Sequence, residues 1–186
     1  PLERPHANQQ AGLRRKRRRL ARQDSAGHRD VGRAVVYAGK DLAMHAEKIR
    51  PIAICVCRDG DRILVAEGRD SKKNQVFYRP LGGMIEFGER GEETVTRELM
   101  EEIGATLTDV RYLGTLENIF VYEGRRGHEI VLVYDGKLAD RSLYQNEVIQ
   151  GDELGQKFSA VWKRLGDFGD GRPPVYPDGL LELLKS

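Results

Sequence analysis

The sequence predicts an α/β domain in which one long helix is set among the strands of a mixed β-sheet. Three observations carry that expectation. Short runs rich in β-branched and aromatic residues recur from Pro51 to Arg164, separated by turn-forming Gly, Asp and Asn. One uninterrupted helical pattern, Glu92–Ile103, contains no Pro or Gly and is followed by Gly104, a natural C-terminal stop. The chain has 186 residues, enough for one domain with a substantial core, and no apolar run of about 18 residues that would suggest a transmembrane helix.

Strands are expected at 51–57, 62–67, 76–80, 109–122, 128–138 and 159–164. "PIAICVC", Pro51–Cys57, is an apolar run of the length of a buried strand, and Asp59–Gly60 after it is a hairpin signal. Helix is expected over 90–103, because Val95, Leu99 and Ile103 recur every fourth residue as a core-facing stripe. "GRRGHE", Gly124–Glu129, is expected to connect the two long β runs. Loops are expected at 139–158 and 166–177, and a short helix in "GLLELLKS" after Asp178. Cys55 and Cys57 would lie about 6.6 Å apart with parallel side chains on one strand, a poor disulfide geometry. Both read as packing residues in a reducing cytoplasm.

The net charge of +2 hides an uneven division. Residues 1–43 carry 11 Lys and Arg against 4 Asp and Glu, whereas residues 44–186 carry 20 against 25. The leader, with "LRRKRRRLARQ" at Leu13–Gln23, has few large apolar residues and is expected to be disordered or transiently helical. Its basic run suits a nucleic-acid patch or a nuclear or organellar address, and no apolar segment follows it as in a secretory signal. Met44 is the expected initiator of a domain over 44–186, the leader reading either as upstream sequence or as a genuine tail.

The helix carries the chemistry. Glu98, Glu101 and Glu102 project together, since i, i+3 and i+4 are helix neighbours. A solvated acidic face is one reading. Yet like charges at this spacing destabilise a helix, and anions in its last turn oppose the macrodipole. A cation would resolve both conflicts. With hard oxygen donors and no His or Cys nearby, that cation is Mg²⁺ or a similar ion such as Mn²⁺, not zinc. Gly82 and Gly83, just upstream in "YRPLGGMIEFGE", permit a close approach that a Cβ would forbid.

These residues resemble the signature box of the Nudix hydrolases, G-x(5)-E-x(7)-R-E-U-x-E-E-x-G-U, where U is a bulky aliphatic. Gly83, Glu89, Arg97, Glu98, Leu99, Glu101, Glu102 and Gly104 all stand at the required spacing. Ala105 departs only in being small. The box covers 23 residues, Gly83–Ala105, and the strand pattern extends a weaker resemblance from about Arg50 onward.

The resemblance implies an α/β/α sandwich with a mixed sheet and a loop–helix–loop catalytic segment. It implies Mg²⁺-dependent hydrolysis of a pyrophosphate bond in a nucleoside diphosphate linked to another moiety. Glu98, Glu101 and Glu102 become the metal-facing set, with the Gly82 carbonyl as a further ligand. Glu98 is a candidate general base, although members of the family differ over which acid serves. Arg97 orients the acids, while Gly83, Glu89 and Gly104 hold the box in shape. Glu86 is a weaker candidate ligand.

An acid outside the box often assists in this family. Of Glu147, Asp152 and Glu153 in "NEVIQGDELGQKF", Glu153 is the choice, with plain loop solvation as the alternative for all three. Tyr78, Arg79 and Tyr122 are candidates for the substrate pocket, whereas Phe77 reads as core. His128 reads as a strand-end residue. The expected partner is a nucleotide-type small molecule, with nucleic acid reached only through the leader and a homodimer open. The alternative function is a Nudix-fold module that binds nucleotide or RNA without turnover. Such modules commonly lose box acids, and none is lost here.

Overall fold

A computed structural model describes residues 48–153, 155–169 and 171–185. The basic leader over 1–43 and Met44 lie outside the described residues.

β1 (Ile49–Asp59) shows why "PIAICVC" reads as a continuous apolar run. Ile52, Ile54 and Val56 point to one face of the sheet and Ala53, Cys55 and Cys57 to the other, and all are at most 1% exposed. The two thiols are free, 3.8 Å apart and in packing positions. The Cys57 contact, together with burial, pushes the Cys55 thiol well up. Gly60, with φ of 61°, turns the chain into β2 (Arg62–Asp70), which leads to β3 (Gln75–Met84).

β3 changes partners along its length. Gln75–Pro80 pair with β2, and beyond Pro80 the strand continues against β1, from Leu81 to Met84. On its other edge Tyr78 bridges to Val175, its amide donating to the Pro174 carbonyl while Tyr176 donates back to its own. α1 (Gly91–Ile103) follows, then β4 (Leu107–Tyr122) and β5 (Arg125–Leu138), which runs parallel to β1. β6 (Val148–Glu153) and β7 (Gln156–Arg164) complete a seven-stranded sheet of order β4-β5-β1-β3-β2-β7-β6. The last helix, α2, is Leu180–Leu183.

Helices cover both faces, giving an α/β/α sandwich. On one side Val95 and Leu99 of α1, both fully buried, meet Cys55, Leu64, Phe77 and Leu81, and Ile103 extends the stripe half-buried. Complete burial of each such side chain is worth about 1.5–3 kcal/mol. On the other side Leu180, Phe168 and Val175 meet Ile54, Val65 and Val133.

Two expectations need correction. The segment 139–158 is not one loop: it holds a 3-10 turn at Arg141–Tyr144, all of β6 and the start of β7. The β4–β5 turn is Glu123–Gly124, and Arg125–Glu129 already belong to β5. Among the described residues no helix is long and apolar enough to cross a membrane.

Candidate active site

β3 delivers the two glycines to the sheet centre, and each is required for a different reason. A Cβ on Gly82, which has φ of 141°, would lie 2.2 Å from the Ala53 carbonyl oxygen of β1. A Cβ on Gly83 would lie 2.1 Å from Glu98 Oε1. The first glycine therefore lets two strands close, and the second lets a carboxylate lie against the strand.

α1 is defined at both ends by its own residues. The Arg90 amide donates to Glu93 Oε2 at 2.9 Å, satisfying a donor at the helix start. Gly104, left-handed with φ of 68°, ends it, its amide donating to Met100 and that of Ala105 to Leu99. Between these ends the three acids have unequal settings. Glu101 is exposed, Glu98 is largely covered and Glu102 is only 9% exposed.

Arg97 is the hub of the box. Its guanidinium donates to Glu89 Oε1 at 2.8 Å and Oε2 at 2.9 Å, to Glu98 Oε1 at 2.7 Å, to Glu101 at 3.5 Å and to the Met84 carbonyl at 3.3 Å. The Glu89 hydrogen bond contributes most to pushing the Arg97 pKa further up. Glu89 also accepts from the Glu86 amide and the buried Thr94 hydroxyl. Burial alone would raise Glu89, but these donors hold its carboxyl below the usual range. Glu89 thus fastens the loop, while Glu86 has an exposed side chain on it.

Glu102 is the electrostatic anomaly. Burial first, then the negative charges of Glu98 and Glu153, push its pKa well up, against the Gly82 amide and Arg79 pulling down. Its Oε2 is buried without a hydrogen-bond partner. Burial likewise raises Glu98, despite Arg97. Among the described residues no three acids already converge on one point, since Glu98 and Glu101 lean toward Arg97. The donor set nevertheless fits a hard divalent cation: an orphaned buried carboxylate oxygen flanked by two further acids has the charge and chemistry for one. Glu153 ends β6, which packs on α1, and it is the loop acid that acts on Glu102. Asp152 instead binds Lys157 and the Gly155 amide, closing the β6–β7 turn.

A pocket beside this acidic set is lined by Arg50, Gln75, Phe77, Arg79, Tyr122 and Tyr176, among others. Arg79 joins the two regions, lining the pocket and acting on Glu102. Phe77 serves core and pocket together, meeting Tyr122 and Tyr176 edge-on with centroids 5.8 and 5.7 Å away. Tyr78 must be corrected. Strand alternation turns it to the opposite face, against Phe168, where its hydroxyl donates to Glu67. His128 pairs with Glu117 across β4 and β5, away from the acids.

One buried residue escapes sequence reasoning. Glu129 has no exposed surface, and it accepts from Arg50 at 2.6 Å and from Asn118 at 3.2 Å, with Arg79 3.5 Å away. Its charge inside "GHEIVLVY" was a signal, because a carboxylate in an otherwise apolar strand requires buried cations.

Comparison with known proteins agrees with this geometry. The NAD-capped RNA hydrolase NudC of Mycobacterium tuberculosis is 44% identical over 69 residues, covering 37% of this chain and 21% of that protein. NudC of Pseudomonas syringae pv. tomato is 33% identical over 92 residues, covering 45% of this chain and 32% of that protein. The chain thus spans between a fifth and a third of the length of these relatives. The crystal structure of a MutT NUDIX hydrolase from Burkholderia pseudomallei shares the fold, with a TM-score of 0.55 at 21% identity, over 74% of this chain and 98% of that one. The NUDIX domain model matches residues 48–177, most of the chain and all of the box, and the chain belongs to the NUDIX family.

Proposed function

We propose that the chain hydrolyses a pyrophosphate bond in a nucleoside diphosphate joined to another group, with Glu98, Glu101 and Glu102 holding a divalent cation, Mg²⁺ or Mn²⁺. The observation that carries this reading is the buried, unpartnered Oε2 of Glu102 between Glu98 and Glu153. The Gly82 carbonyl is a further ligand in this reading, and Glu153 a supporting acid. Bound there, the ion neutralises phosphoryl charge and makes a water a stronger nucleophile.

The remaining work falls to side chains. Arg97 fixes the Glu98 carboxylate through Oε1, and Glu98 takes the proton from the attacking water. As the water oxygen bonds to phosphorus, the bridging P–O bond breaks and two phosphate-bearing products leave. Arg79 and the aromatic pocket of Phe77, Tyr122 and Tyr176 hold the nucleoside half in place. The two free buried thiols support a cytoplasmic location.

The test is a substrate panel of NAD⁺, an NAD-capped RNA, ADP-ribose, diadenosine tetraphosphate and a nucleoside triphosphate, with Mg²⁺, Mn²⁺ or EDTA. NAD⁺ and the capped RNA lead because of the relatives' names. Chromatography should show metal-dependent cleavage of at least one member. No cleavage of any would refute hydrolysis and favour a binding module.

A further inference from the structure

The tips of two hairpins, distant in sequence, are tied to each other over the pocket. Asp70, at the end of β2 and 2% exposed, accepts from the amides of Lys72 and Lys73 within its own turn, both at 3.0 Å. Its second oxygen accepts from the Glu123 amide in the β4–β5 turn, at 3.3 Å. Glu123 returns the link, its carboxylate accepting from the Ser71 amide and from the Ser71 hydroxyl at 2.7 Å. Tyr122 donates to the Arg69 carbonyl at 3.4 Å, and Lys73 Nζ donates to the Val121 carbonyl. Bonds therefore run in both directions between Arg69–Lys73 and Val121–Glu123.

The turn chemistry shows what this tie overrides. Glu123 and Gly124 both have positive φ, 50° and 76°, as in a type I′ hairpin turn. The first position of such a turn favours Asn, Asp or Gly, and Glu has no backbone reason to be there. Its carboxylate supplies the reason by holding Ser71. Tyr122, Lys73 and Asp70 from the tied tips all line the pocket, and Tyr122 is pressed edge-on to Phe77.

We propose that Asp70 and Glu123 are positioning residues that set the width of the pocket by clasping the two hairpin tips, so that Tyr122 stands at a fixed distance from Phe77. This rests on the reading that the pocket takes the nucleoside half of a pyrophosphate substrate. The bonds of both carboxylates run to the hairpin tips, so the clasp governs how well substrate is held and leaves the chemical step alone.

Three variants of the full chain test it, using the member of the panel that wild type cleaves fastest. Glu123→Gly suits the positive φ better than Glu and removes both bonds to Ser71. Asp70→Asn keeps an acceptor for its own turn but sets an NH₂ against the Glu123 amide. Glu123→Gln retains an acceptor for Ser71 and is the conservative rescue. Glu123→Gly and Asp70→Asn should raise KM about tenfold with kcat within about twofold, and Glu123→Gln should keep KM within about threefold. The Tm of Glu123→Gly should equal or exceed that of wild type, which separates positioning from loss of fold. An unchanged KM in Glu123→Gly, or a fall in kcat that tracks a fall in Tm, overturns the clasp. If wild type cleaves nothing in the panel, the hydrolase reading fails first and the clasp's role with it.

Discussion

The Glu98 carboxylate occupies the space where a side chain on Gly83 would be, with Oε1 2.1 Å from the position of that missing Cβ. Strand β3 and helix α1 thus meet through an absence on one side and a largely buried carboxylate on the other. Gly82, next to it, meets rigid backbone of β1 instead. The same small change at the two positions should therefore have different outcomes.

Gly83→Ala displaces a flexible carboxylate, so folding should lose about 1 kcal/mol or less while kcat falls at least about a hundredfold. Gly82→Ala sets a methyl group against the Ala53 carbonyl at an unsuitable φ, and should destabilise the fold by about 3 kcal/mol or more. Urea denaturation beside turnover separates the two. Equal stability losses would mean that Glu98 is not free to move aside.

Arg97→Lys should lower kcat about tenfold to a hundredfold, because one ammonium cannot reproduce a fork shared among Glu89, Glu98 and the Met84 carbonyl. Amide exchange at Glu86 and Glu89 should also accelerate, since the loop loses its fastening. Wild-type turnover in the Lys variant would reduce Arg97 to a general counter-charge.

Without a divalent ion, Glu102 should make the protein lose stability as pH rises above 4.5. Its folded pKa is held well above the ordinary 4.5, so between those values the native state binds more protons than the unfolded chain. Its contribution is fully present below 4.5 and is lost as pH rises through the folded pKa. In EDTA at neutral pH, Glu102→Gln should melt higher than wild type by at least about 2 °C and show a flatter pH profile. Millimolar Mg²⁺ should raise wild type more than the variant, by mass action on the native state. Equal Mg²⁺ responses would exclude Glu102 as a ligand.

Glu129→Gln should cost about 3 kcal/mol, because it leaves the largely buried Arg50 and Arg79 guanidiniums without their shared anion. The readout is the urea midpoint at constant slope. A loss below about 1 kcal/mol would mean that solvent already reaches the pair.

Local chemistry made much of this architecture legible. The helix is written in Glu92–Ile103 with Gly104, and β1 in its apolar run, because caps and periodicity act over a few residues. β6 was not legible: "VIQGDE" is short, polar and at the sheet edge, and only its pairing with β7 makes it a strand. The orientation of Tyr78 was hidden for another reason. Both faces of β3 are buried, so apolar and aromatic content cannot say which of Phe77 and Tyr78 faces α1. The charge of Glu129 stood out in its apolar strand, but its partners did not, because Arg50 and Arg79 belong to other strands.

The bridge from Tyr78 to Val175 joins a late stretch of the chain to a strand made early. The box acids emerge from the ribosome well before Tyr176, the aromatic wall that docks on Phe77. The pocket is therefore complete only once the stretch that threads alongside β3 has docked.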